Sequence, residues 1–149
     1  MKTSIPPGLI TFALVCLALV QNTQAVSPPP DGGYPGGNTA EGQNALRSTT
    51  TGCFNAAVGY FSLFANTTGS FNTAVGAGAL DLNTGDNNTA TGAAALLLNS
   101  TGANNTATGD NALFSNTIGT ENTANGTFAM SANTEGFPVR PSLRLCYTW

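Results

Sequence analysis

Chemistry needs groups that titrate, attack or bind metal, and this sequence holds few of them. Histidine is absent, and the one lysine is Lys2. Between Asn38 and Gly136 the acids are Glu41, Asp81, Asp86, Asp110, Glu121 and Glu135, set against one base, Arg47. General acid–base work needs paired, positioned groups, and these acids stand singly at unrelated places. Ser and Thr are plentiful, but no base is at hand to activate a hydroxyl. Gly76-Ala77-Gly78 has phosphate-loop spacing without a helix-forming stretch behind it. Calcium-binding repeats need a recurring aspartate, and none recurs. The residues point away from an enzyme, a metal site or a bound cofactor.

Two weaker chemistries remain. Cys53 and Cys146 either bridge, stay as thiols or link chains. A bridge within one chain must cross about five coils, roughly 24 Å at strand spacing. The 10 residues from Gly136 to Cys146 reach about 33 Å when extended. Threonine also recurs, as Thr39, Thr73, Thr89, Thr106 and Thr123, with Ala56 breaking the series. A second series is Thr50, Thr67, Thr84, Ser100, Thr117 and Thr134. Flat arrays of hydroxyls and methyls order water, which makes ice or a carbohydrate the alternative ligand. The plainer reading is that Thr suits exposed strands.

What positions these residues is one unit, N-T-A-x-G-x-x-A-L-x-x-N-T-x-G, repeated six times between Asn38 and Gly136. Its leading Asn falls at Asn38, Asn55, Asn72, Asn88, Asn105 and Asn122, in steps of 17, 17, 16, 17 and 17 residues. The short step follows a missing residue after Asn83-Thr84. Four places after each Asn stands Gly42, Gly59, Gly76, Gly92, Gly109 or Gly126. Eight places after stands Leu46, Leu63, Leu80, Leu96, Leu113 or Met130. A short fixed period of this kind belongs to stacked coils.

Helix is the wrong period, because Gly and Asn interrupt every apolar run. Two strands of about five residues per repeat fit better, for example Phe71 to Gly76 and Ala79 to Thr84. Alternation then turns the constant Ala (Ala40, Ala57, Ala74, Ala90, Ala107, Ala124) inward. In the second strand it turns the pairs Leu46/Ser48, Leu63/Ala65, Leu80/Leu82, Leu96/Leu98, Leu113/Ser115 and Met130/Ala132 inward. The expected fold is all-β: a parallel β-roll or β-solenoid of six coils of about 17 residues, roughly 30 Å long. Asn ladders and the repeated Gly serve as its structural corners. Val58, Phe64, Val75, Leu97 and Phe114 face outward, an apolar stripe that marks an interface. Three rods around an axis would bury it.

The repeats N-T-A-V-G-A-G-A-L from Asn72 and N-T-A-T-G-D-N-A-L from Asn105 resemble the head repeats of trimeric autotransporter adhesins. The likeness runs over Asn38 to Gly136. It implies a left-handed parallel β-roll, tight homotrimers and display on a bacterial surface. The repeat here is a few residues longer than is usual in that family, so fold and trimerisation carry over, and no particular receptor does.

The flanks complete the reading. Residues 1–25 read as a secretory signal: Lys2, an apolar run from Leu9 to Val20, and a small residue, Ala25, at the cut. Twelve apolar residues fall short of the roughly 20 that span a bilayer, so the mature chain is expected to hold no membrane span. Residues 26–37 read as a Pro/Gly-rich linker, 38–136 as the repeat domain, and 137–149 as a cap or a truncated or frame-shifted end. Clustered Lys and Arg are missing, which excludes nucleic acid. The expectation is a secreted or surface-exposed, non-catalytic adhesive or structural protein, with an extracellular protein or glycan as its ligand.

Overall fold

The computed structural model of the protein describes residues 34–136. The expected signal, most of the expected linker, residues 137–149 and with them Cys146 lie outside the described residues. A short 3-10 turn, Pro35–Gly37, leads into six strands: β1 (Thr39–Glu41), β2 (Ala56–Val58), β3 (Thr73–Val75), β4 (Thr89–Thr91), β5 (Thr106–Thr108) and β6 (Thr123–Asn125). They pair in chain order, all parallel, in one sheet. The register follows the repeat: Ala57 sits opposite Ala74, and Ala74 opposite Ala90 across the short step. The chain is a parallel β-solenoid, one strand per coil. Tyr34, half-buried, packs against the core at the first coil and bridges to Asn38.

The second expected strand does not form. Its Leu or Met takes a left-handed conformation in every coil, with φ +50 at Leu46 and Leu63 and +53 at Leu96. Two reverse turns replace the strand. In the third coil Ala79 N–H donates to Gly76 O at 3.3 Å and Asn83 N–H to Leu80 O at 3.1 Å. A positive φ breaks side-chain alternation, so consecutive residues both point inward. Ala79 and Leu80 are fully buried, whereas Leu82, expected inside, is exposed. Ser48, Ala65, Leu98 and Ser115 are likewise only half-buried, and Ala132 is exposed. The core is therefore three columns: the strand Ala, a second Ala or Ser, and the Leu. Left-handed backbone costs a non-glycine residue roughly 1–2 kcal/mol. Burying a Leu side chain returns about 1.5–3 kcal/mol, so burial wins.

The turns still stack. Leu63 N–H donates to Ala79 O at 3.0 Å, and Leu80 N–H to Ala95 O at 3.0 Å. Gly59 N–H reaches the other way, to Glu41 O at 2.7 Å. Backbone hydrogen bonds thus join neighbouring coils around most of the circumference, as buried peptide groups require. The glycine four places after the leading Asn is needed twice over. Gly59 has φ +130, and a Cβ on it would lie 2.6 Å from Gly76 O of the next coil. Only glycine takes that conformation and that approach.

Candidate functional site

The leading asparagines are spent inside the solenoid. Asn72 N–H and Nδ2 both donate to Asn55 Oδ1, at 2.9 and 3.1 Å, and Nδ2 also donates to Gly85 O at 2.9 Å. The same bonds link Asn38 to Asn55, Asn88 to Asn105 and Asn105 to Asn122. All six leading Asn are buried. A second column, Asn83, Asn99, Asn116 and Asn133, is joined from Nδ2 to Oδ1. These amides have their partners within the chain and offer nothing to a ligand.

The short coil weakens the first column, where Asn88 N–H still donates to Asn72 Oδ1 at 2.9 Å, and breaks the second. Asn88 Nδ2 turns to Asn83 Oδ1 at 3.1 Å instead of to Asn72. Asn83 Nδ2 keeps the bond to Gly85 O, at 2.8 Å, that Asn66 and Asn99 make to Gly69 O and Gly102 O. It makes no rung to Asn66 Oδ1, which is left buried without a partner.

The outward groups therefore carry whatever recognition the solenoid performs. Val58 and Val75 are exposed and directly paired across β2 and β3. Phe64, Leu97 and Phe114 lie on the turn side and are half-buried. The expected stripe is thus two patches. Aromatics of the second coil join them: Tyr60 to Phe61 with ring centres 4.4 Å apart, and Phe61 to Phe64 at 4.6 Å. Phe54 and Phe71, absent from the expected stripe, stack with ring centres 5.3 Å apart and 19° between their planes. Both are more than half exposed and have positive φ. Their signal was available, since each directly precedes a leading Asn. Further along, Thr89, Thr91, Thr106 and Thr108 are exposed in register. The outer face passes from apolar in the second and third coils to hydroxyl-rich in the fourth and fifth.

Charge is sparse on these faces. Arg47 donates to Asn44 Oδ1 at 3.0 Å. Asp81 stands in the same repeat position as Phe64 and Leu97 in the coils on either side. Burial raises its carboxyl above the ordinary range, and its Oδ1 has no hydrogen-bond partner. No group of His, Cys, Asp and Glu able to hold a metal occurs among the described residues. None of their helices is long and apolar enough to cross a membrane.

Comparison with family models, curated proteins and solved structures finds no match for this chain.

Proposed function

We propose that the chain is a secreted or surface-exposed, non-catalytic repeat protein, acting as a homotrimeric adhesin head or fibre segment. The observation that carries this reading is the number of outward apolar groups on one frame: Phe54, Val58, Tyr60, Phe71 and Val75 exposed, with Phe64, Leu97 and Phe114 half-buried on the turn side. Patches of exposed apolar side chains are usually interfaces. Side-by-side packing of three rods would cover the turn-side patch. The remaining variable positions would meet an extracellular protein or glycan, with avidity from three copies. The likeness of the repeats to adhesin heads supports the same reading. Light scattering on residues 26–149, with and without reductant, tests it. Three chains that persist in reductant are expected; a single chain would overturn the trimer.

A second reading has its own observation. Thr89 and Thr91 face out beside Thr106 and Thr108, paired strand to strand. Such a plane of hydroxyls and methyls suits ice or a carbohydrate on a monomeric solenoid. Replacing Thr89 and Thr106 with Lys is expected to leave ice growth unchanged; a loss of thermal hysteresis would promote this reading over the first.

A further inference from the structure

In most coils the second Thr corner closes on one oxygen of the next coil. Thr50 N–H, Thr51 N–H and Gly52 N–H all donate to Thr67 O, at 2.9, 3.2 and 3.2 Å, and Thr50 Oγ1 joins them at 3.0 Å. Ser100, Thr101 and Gly102 do the same with Thr117 O, at 2.9, 3.1 and 3.3 Å, with Ser100 Oγ at 2.9 Å. The backbone here is a nest: successive N–H groups aimed at a single point.

The corner Thr67–Gly69 has the same sequence pattern but faces the shortened coil. Among the described residues, Thr67 N–H, Thr68 N–H, Gly69 N–H and Thr67 Oγ1 have no acceptor. The carbonyl in the matching place, Thr84 O, receives no hydrogen bond either. Asn66 Oδ1, on the same seam, is fully buried and also without a partner. It lies with Thr84 O and Gly85 O against the side of Gly69 where a Cβ would stand. Gly85 O is already engaged by Asn72 and Asn83.

We infer that this corner is a binding site for an O–H group, built by the loss of one residue from the third coil. The donors and acceptors on the seam decide the chemistry. A carboxylate or phosphate oxygen would accept from the nest but would have nothing to give Asn66 Oδ1 and Thr84 O. An ammonium would give but not accept. An O–H oxygen does both, and buried polar groups of this kind are normally satisfied by such a partner. Thr68 is exposed and Thr67 and Ser70 are half-exposed, so the outer side of the corner is open to solvent while Asn66 Oδ1 is shielded from it. The oxygen can come from a resident water or from a saccharide hydroxyl.

High-resolution crystal structures of the mature chain, alone and soaked with methyl α-glucopyranoside, separate these sources. The expected result is one oxygen at roughly 2.7–3.2 Å from at least two of the three amides and from Asn66 Oδ1. Density for a lone oxygen in both crystals assigns it to water. Density for a pyranose ring with a hydroxyl at that point assigns it to saccharide. Inserting one threonine between Thr84 and Gly85 restores the full coil. It is expected to remove the oxygen and to join Asn66 Oδ1 to Asn83 Nδ2. The inference fails if Thr84 O is found accepting from the nest with no oxygen present. It fails equally if the oxygen survives the insertion.

Discussion

Asn88 Oδ1 accepts two hydrogen bonds from Asn105, one from the backbone N–H at 3.0 Å and one from Nδ2 at 3.1 Å. Both residues are fully buried. This double contact makes the ladder a part of the core and not a surface ornament. Replacing Asn105 with Ala removes the side-chain donor to Gly119 O and the acceptor used by Asn122. Each buried group left without a partner costs about 1–3 kcal/mol. Asn105→Ala is therefore expected to lower unfolding free energy by about 3–5 kcal/mol. Thr106→Ala, one residue on and exposed, is expected to change it by less than about 0.5 kcal/mol. Urea titration followed by circular dichroism compares the two, and equal losses would reduce the ladder to a packing contact.

The Leu column gives a sharper test, because backbone and packing make opposite demands. Leu96 is fully buried at φ +53. Met occupies the same place in the last coil, with Met130 at φ +51. A β-branched side chain is a genuine outlier at such a φ. Leu96→Met is expected to cost less than about 1.5 kcal/mol, as volume-conserving swaps do. Leu96→Ile has the same volume but should cost about 2 kcal/mol more. Similar melting curves for the two variants would show that the coil relaxes its backbone freely.

The same column explains what was legible in the sequence. Period, strand position and the inward Ala all follow from the spacing of Asn, Ala and Gly, because in-register stacking repeats every contact. The Leu segment reads as a strand because apolar alternation and a pair of turns look alike over five residues. Only the left-handed conformation separates them, and Leu does not advertise it as Gly or Asn would. The outward patches were legible residue by residue. Their joining through Tyr60 and Phe61 was not, since that depends on where the turn folds. The consequence of the 16-residue step was invisible too. A deletion is plain in sequence, but which hydrogen bonds it breaks depends on the neighbouring coil.

Two glycines two residues apart should respond very differently to a methyl group. Gly76 has φ +137, and a Cβ there would run into Gly92 O of the next coil. Gly78 has φ +66, and its Cβ would meet only Leu97 Cδ1, at 3.4 Å. The fourth coil already carries an alanine at the matching position, Ala94, at φ +54. Gly76→Ala is expected to cost about 2–4 kcal/mol, from strain and from lost stacking. Gly78→Ala is expected to stay within about 1 kcal/mol, since strain and reduced unfolded-chain entropy oppose each other. Thermal melts decide the matter. A Gly76→Ala chain as stable as its Gly78→Ala counterpart would mean that neighbouring coils can slide apart at that corner.

Asp81 contributes a pH dependence to this weakly charged solenoid. Its repeat position is filled by Phe64 before it and Leu97 after it, and burial holds its carboxyl above the ordinary carboxylate range. The folded state therefore keeps the proton to a higher pH than the unfolded chain does. Linkage then gives the sign: stability contributed by the protonated form is complete below the unfolded value, about 3.9. It is lost as pH rises through the raised folded value. At neutral pH the charged group opposes folding. Asp81→Asn keeps the shape and removes the charge, so it is expected to raise the melting temperature at pH 7. Near pH 3, where Asp81 is protonated in both states, the gain should vanish. Calorimetry of both chains across this range checks it. A gain at pH 7 that persists at pH 3 would trace the effect to the new amide and not to the charge.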